Sequence, residues 1–416
     1  MKRALVVVVA VLTVTACGST APKPTADGAS PTPSVNESVE PVPTEDPVSP
    51  SSTASLSPGA SPVVVGPSAT ATPMATSAAS AAPAPATPLR LGVVASDRAT
   101  FQKLLTSRGQ LGGRPVTGVF VSSCAELTGV DLALVQGDAC PGTSFPVLAA
   151  GPAVGQLTPS LTSVTSLSVD DRLRLLLTKA LDPKTGDLGV VVEACPIDQQ
   201  AVTKTLTPVA KQRGFAVTAT ASVPCGKAAD GGKVVAALQA KKVGQVVFVS
   251  ADHEAALVRA FTKTAKAKAF APVYGVTSAT VPALLTDQRE KVVGIGWSPS
   301  LDTTASTASV PINDCRRAVR TAGAALPTTP AQRFTTYTTC DLLGLADRVL
   351  RLTHGATDVT AVRNALKATG RLFKAASVLD SATDFRTRQT GPASVSRFAW
   401  SPACTCVEYT GSHVTL

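Results

Sequence analysis

Three histidines, nine cysteines and a few acids and hydroxyls just beyond apolar runs are the residues of this chain with chemistry to offer. His253 lies between Asp252 and Glu254, a grouping that can serve proton transfer. The same triplet opens an amphipathic segment, where acidic side chains suit a helix dipole and need no catalytic role. His354 follows a helical pattern beside Gly355, and His413 lies in the tail. No Gly-x-Ser-x-Gly, His-Glu-x-x-His, phosphate-loop or Gly-x-Gly-x-x-Gly pattern occurs. Catalysis is therefore not expected, nor is a cofactor or a bound metal.

The cysteines carry a second kind of chemistry. Lys2 and Arg3 precede a short apolar run that ends in Val14-Thr15-Ala16-Cys17. Small residues before a cysteine at this point resemble a bacterial lipobox, which implies a signal over residues 1–17, cleavage before Cys17 and its lipidation. Multiple acyl chains on one residue anchor a protein to a membrane far better than one. Cys17 set aside, eight cysteines remain, and an even number in an exported chain reads as disulfides. Proximity in sequence pairs Cys124 with Cys140, Cys195 with Cys225 and Cys315 with Cys340. Cys404 and Cys406 are awkward: alternate strand positions share a face but rarely meet disulfide geometry. A zinc site there lacks ligands at the usual spacing.

Of the 32 prolines, 15 fall in residues 18–88, a stretch without Phe, Trp or Tyr. It cannot bury enough apolar surface to offset chain entropy and reads as a disordered tether. Its ends would lie roughly 50 Å apart as a flexible coil, and up to roughly 220 Å when extended. The tether carries Asp27, Glu37, Glu40, Glu45 and Asp46 against Lys23, a charge of −4, and the leader carries +2, so of the net +10 the remainder from Leu89 onward holds +12. Its basic residues are scattered along helical faces, and no nucleic-acid-binding pattern accompanies them, so nucleic acid is not an expected partner.

What must position the candidate residues is an alternation of strands and helices from Leu89 onward. Apolar runs at 89–94, 116–121, 132–136, 146–149, 188–193, 215–223, 243–249, 272–275 and 292–297 read as strands. Between them, 100–107, 169–180, 201–213, 232–241 and 253–268 read as helices, the signature of a doubly wound parallel sheet. Further on, 313–324, 340–352 and 358–369 read as helices, the last with Asp358 as N-cap and Gly370 after its end. The tail, 394–400 and 406–410, alternates and predicts closing strands.

These elements resemble a known family, the type I periplasmic binding proteins of the branched-chain amino-acid receptor sort. The resemblance is carried by the strand–helix–strand run over 188–275, with Gln212-Arg213-Gly214-Phe215 and Ala271-Pro272-Val273-Tyr274-Gly275, and by Thr339–Leu350 with Thr357–Leu366. Gly112-Gly113-Arg114-Pro115 is similar to the family's turn before its second strand. The implied fold class is α/β, with two lobes, each a mainly parallel doubly wound sheet. The expected lobes are 89–168 plus 300–369, and 169–299 plus 370–416. The segment 121–130 is too short for the family's second helix, so the first lobe is reduced.

The resemblance implies a lipid-anchored extracytoplasmic receptor that closes on a small solute, an amino acid or amide-like ligand, and delivers it to an ABC permease. Ligands of such sheets bind beyond the strand carboxyl ends. That places Asp97, Ala150, Glu193, Ser250, Asp252, Thr277, Ser278 and Trp297 at the site, beside loops bearing Ser96, Gly137-Asp138 and Ser298. Thr277 and Ser278 would bond an anionic group, Glu193 or Asp252 an ammonium, and Tyr274 and Trp297 would form the wall. Where many amino-acid receptors carry hydroxyls to hold a carboxylate, this chain has Ala149-Ala150-Gly151-Pro152. The alternative reading is a sensor or scaffold lipoprotein that kept the fold without the ligand.

Overall fold

The structure is a computed structural model that describes residues 87–137, 140, 143–151, 158–251, 253–299 and 309–416. The leader with Cys17, the tether up to residue 86, Asp138 and Asp252 lie outside the described residues. No helix among the described residues is long and apolar enough to cross a membrane.

The strands are β1 (Leu89–Val94), β2 (Gln110–Leu111), β3 (Arg114–Val121), β4 (Leu132–Gln136), β5 (Val147–Ala150), β6 (Leu161–Ser163), β7 (Leu188–Glu193), β8 (Val217–Val223), β9 (Gln245–Val249), β10 (Val273–Thr277), β11 (Val292–Gly296), β12 (Ser394–Ser401) and β13 (Cys406–Thr415). They form a six-stranded sheet, β2-β3-β1-β4-β5-β6, and a seven-stranded one, β13-β12-β11-β10-β9-β7-β8. The first is parallel apart from the small β2–β3 hairpin, and the second is parallel apart from β12 and β13. Each sheet starts on an interior strand, β1 in the first and β7 in the second, and winds outward both ways. The central strands β4, β5, β7 and β9 are buried at every position. Continuous apolar runs suit strands covered on both faces. The edge strand β8 instead exposes most of its length.

Helix α1 (Arg98–Arg108) follows β1, and α2 (Val169–Leu175) opens the second lobe and runs on into a π turn, Leu176–Ala180. Helices α3 (Pro196–Ala201) and α4 (Thr207–Arg213) are likewise joined through a π turn, Val202–Leu206, and α4 ends at Gly214. Then come α5 (Gly231–Ala240), α6 (Glu254–Ala267), α7 (Val310–Thr321), α8 (Pro330–Leu352) and α9 (Val359–Thr369). Helix α8 begins ten residues before the sequence pattern suggested. Thr329 and Gln332 form a reciprocal capping box there, and Pro330 takes the first helical position, where its missing N–H costs nothing. Between β3 and β4 only a single 3-10 turn, Cys124–Glu126, intervenes, which is the reduction of the first lobe.

The first core packs β1, β4 and β5 against α1, α7, α8 and α9. It also takes in Ala376 and Phe385, and Ser163 bridges in parallel to Thr390. The expectation that 370–416 joins the second lobe is therefore corrected: the segment around 376–390 packs on the first, because Asp341 of α8 accepts the backbone N–H groups of Ala376 and Ser377. Only β12 and β13 extend the second sheet. Where the chain passes between the lobes, Trp297 fills an apolar cluster with Leu167, Leu175, Ile295 and Val395. Its indole N–H donates to the carbonyl of Thr165, and the Trp297 carbonyl accepts Leu379 N–H at 2.7 Å.

Disulfides join Cys124–Cys140, Cys195–Cys225 and Cys315–Cys340, with Cα separations of 5.4, 4.8 and 5.7 Å. Loops of these lengths contribute roughly 3–4 kcal/mol each in the chain-entropy picture. Cys404 and Cys406 are bonded to each other as well, at the turn of the β12–β13 hairpin, where Thr405 with φ of 51° bends the chain enough to bring the two together.

Candidate functional site

The crossings between lobes leave from the carboxyl ends of β6 and β11, so both sheets turn that edge toward the crossings. In the second lobe this edge carries Glu193, the last residue of β7, only 2% exposed. One carboxylate oxygen accepts the Gly226 N–H at 2.7 Å and the other accepts the Ser250 hydroxyl at 2.8 Å. Nδ1 of His253 lies 3.1 Å from both. Burial raises the Glu193 pKa, but the donors Gly226, Ser250 and His253 outweigh it and hold the carboxyl below its ordinary value. The Cys195–Cys225 bond ties the loop that follows Glu193 to the loop bearing Gly226.

The arrangement brings a serine, a histidine and a glutamate into one cluster, but in a different order from a nucleophilic relay. The Ser250 hydroxyl donates to Glu193 and accepts the backbone N–H of His253 at 2.7 Å. Its proton is directed to a carboxylate rather than an imidazole, so the oxygen is not activated as a nucleophile. The His253 ring is 54% exposed and is oriented by the buried acid behind it. Glu193, Cys195 and Cys225 offer ligand atoms within 4.8 Å of one another, yet the two sulfurs are bonded together and are not thiolates.

Because the folded-state pKa of Glu193 is lowered, its contribution to stability is present above the ordinary carboxyl range and is lost as pH falls through the lowered value. Glu193→Gln is expected to cost about 1–2 kcal/mol at pH 7, since an amide cannot accept all three donors. It should also flatten the decline of the melting midpoint below about pH 4.5. Melting curves of both proteins from pH 3 to pH 7 check this.

A second buried network lies alongside. Arg172 of α2 pairs with Glu254 at the start of α6, and donates to the Ser250 carbonyl at 3.1 Å. Thr280 donates to Glu254 at 2.9 Å, and its hydroxyl lies 2.8 Å from that of Thr277. Thr277 is thus tied to its own turn. Ser278 faces Tyr409 of β13, oxygen to oxygen at 3.2 Å, and Tyr409 donates to the Ser298 carbonyl at 2.7 Å. Gly296 makes room for this: a Cβ there would lie 2.4 Å from the tyrosine oxygen.

In the first lobe Asp97 is the N-cap of α1, accepting Thr100 N–H at 3.0 Å. Ala150 ends β5, and its carbonyl accepts Gly137 N–H at 3.0 Å. Gln136 donates to the Thr335 carbonyl and to the hydroxyls of Thr338 and Thr339, pinning β4 to α8, and lies 3.5 Å from the Ser96 hydroxyl. Gly151, in the loop without a hydroxyl of its own, receives two from the next crossing: its N–H donates to Thr165 and its carbonyl accepts Ser166.

The structure therefore brings Glu193 and Ser250 together, places Thr277 and Ser278 at the end of β10, and sets Asp97 and Ala150 in the first lobe. Two expectations are corrected. Trp297 is 3% exposed within the crossing cluster, and Tyr274 is fully buried with its ring edge-on to Phe261, so neither forms a ligand wall. Both rings spend their large apolar area in the core, and the indole N–H is satisfied there by the Thr165 carbonyl. Reasoning from sequence missed Arg172, Gln136, Tyr409 and the role of His253. A signal existed for Arg172, which falls on the apolar face that Val169, Leu173 and Leu176 define. None existed for Gln136 or Tyr409, whose partners are distant in the chain.

No protein-family profile and no curated protein matches the sequence. Solved structures do match in shape. A solute-binding protein of an ABC transporter from Rhodopseudomonas palustris HaA2, in complex with p-hydroxybenzoic acid, superposes with a TM-score of 0.58 at 11% identity, covering 79% of this chain and 97% of that one. A counterpart from R. palustris BisB5, in complex with 3,4-dihydroxybenzoic acid, gives 0.56 at 10% identity over 79% and 97%. A branched-chain amino acid ABC transporter protein from Thermus thermophilus with bound valine gives 0.56 at 13% identity over 80% and 98%. The chain has the type I periplasmic-binding fold.

Proposed function

We propose that this chain is an extracytoplasmic solute-binding protein, lipid-anchored through Cys17 and held off the membrane by the 18–88 tether, that captures a small carboxylate-bearing solute for an ATP-driven importer. The observation that carries the reading is the pairing of His253 with the buried Glu193 at the strand-end edge of the second lobe. The buried carboxylate fixes the orientation of the ring, and its half-exposed edge is the group we assign to meet a ligand's acid group. Each of the three neighbours described above holds a carboxylic acid, which agrees with that chemistry. Amino acids meet the same requirement; amides and amines do not.

A second reading has its own support. Glu193, Ser250, Thr277 and Ser278 all spend their hydrogen bonds within the protein, as a ligand-free scaffold would. Thermal melting separates the two. Valine, p-hydroxybenzoate and 3,4-dihydroxybenzoate should be tested against benzamide, putrescine and glucose. A bound acid at about 100 times its Kd stabilises the fold by about 2.7 kcal/mol, a shift of several degrees. His253→Ala should abolish that shift. Shifts with amines alone would overturn the carboxylate assignment, and a flat response to every acid would favour the scaffold.

A further inference from the structure

At the far end of the second sheet the β12–β13 hairpin closes on a bond that the fold does not need. Cys404–Cys406 spans two residues, against 16, 25 and 30 for the other described disulfides, which each tie separate segments together. The constraint a disulfide places on the unfolded chain grows as about the 1.5 power of the number of residues in the closed loop, 3 here (404–406) against 31 for Cys195–Cys225 (195–225), so this bond constrains it about thirtyfold less. The hairpin is already held by seven registered pairs, from Ser394–Thr415 to Ser401–Cys406.

What the bond does have is access and asymmetry. Residues 402–405 are exposed, Cys404 among them, while Cys406 is 6% exposed at the start of β13. An incoming thiolate can therefore reach one sulfur and finds the other sheltered. Since Ala399 is registered with Val293, at the amino end of β11, the hairpin tip points away from the strand-end edge of Glu193 and His253. Its chemistry is independent of solute binding.

We propose that Cys404–Cys406 is a thiol–disulfide exchange site that oxidises a dithiol on another protein or peptide. A partner thiolate attacks Sγ of Cys404, the S–S bond breaks, and Cys406 leaves as a thiolate that takes a proton from water. The second partner thiolate then attacks its own chain's sulfur in the mixed disulfide. The partner gains a disulfide, Cys404 leaves as a thiolate, and two electrons have passed to the hairpin, one equivalent per molecule.

The test is a redox titration of the full chain in dithiothreitol buffers at pH 7, with each pair quantified by alkylation and mass spectrometry. Cys404–Cys406 should be half-reduced at a reduced-to-oxidised ratio about thirtyfold lower than Cys195–Cys225, or about 45 mV by the two-electron conversion. The Cys404→Ser, Cys406→Ser double variant should lose the early reduction and keep the wild-type melting midpoint to within about 1 °C. Reduction of this pair together with or after Cys195–Cys225 would overturn the proposal. So would a loss of several degrees in the double variant, which would make the bond a structural staple.

Discussion

Asp341→Ala is expected to cost about 3–5 kcal/mol, lowering the melting midpoint by roughly 6–15 °C. The carboxylate is fully buried in α8 and accepts Ala376 N–H at 2.7 Å, Ser377 N–H at 2.8 Å and the Ser377 hydroxyl. Removing it leaves two buried amides and a hydroxyl without an acceptor, at the segment that returns the chain toward the second lobe. Burial pushes the Asp341 pKa up to about 6, with Ser377 and Ala376 pulling the other way. Its folded value thus lies above its unfolded one, so its contribution to stability falls as pH rises from about 4 to about 6, by about 3 kcal/mol in all. Asp341→Asn keeps the shape, loses that slope, and turns its NH2 toward a backbone N–H, for a cost of about 1–3 kcal/mol. Melting curves at pH 4, 5, 6 and 7 for the three proteins separate the charge from the hydrogen bonds.

Glu254→Gln should be comparably severe, at about 3–5 kcal/mol, because it strands Arg172 as a buried charge. Their side chains are 7% and 3% exposed, and Glu254 is the one carboxylate paired with that guanidinium among the described residues. Arg172→Met alone should cost a similar amount. The double variant Arg172→Met, Glu254→Gln should recover at least 1–2 kcal/mol of the summed losses, since neither partner is left behind. Additive losses in denaturant unfolding would contradict this account. The pair matters for function as well as stability: Arg172 holds the Ser250 carbonyl, and Glu254 holds Thr280 and through it Thr277, so one network sets two strand-end loops.

The fold was legible because its central strands are uninterrupted apolar runs and its helices carry ordinary punctuation. Leu188–Glu193 is buried throughout, as its β-branched composition suggested, and Asp358 caps α9 as its position before the helical pattern suggested. Boundaries failed where capping chemistry outran the apolar pattern, as at Thr329 and Pro330. Membership of the crossing segment failed for another reason. Nothing local marks residues 376–390 as belonging to the first lobe; the acceptor that binds them, Asp341, lies 35 residues away. The site was legible only as a set of strand ends. Which polar groups face outward depends on which are consumed by distant partners, and Glu193, Thr277 and Ser278 are consumed. His253 was the reverse: its acidic neighbours in sequence read as helix-start residues, while the acid that orients it is Glu193, far off in the chain and adjacent only across β7 and β9.

The proposed capture of a carboxylate at His253, closed over by the strand-end loops of the first lobe, is open to test by hydrogen–deuterium exchange of the full chain with and without p-hydroxybenzoate or valine at saturating concentration. The account predicts slower exchange in peptides carrying Ser96 and Gly137 together with those carrying Ala194 and His253, and no such change in His253→Ala. Protection confined to one lobe, protection away from these loops, or none with any carboxylate would contradict it.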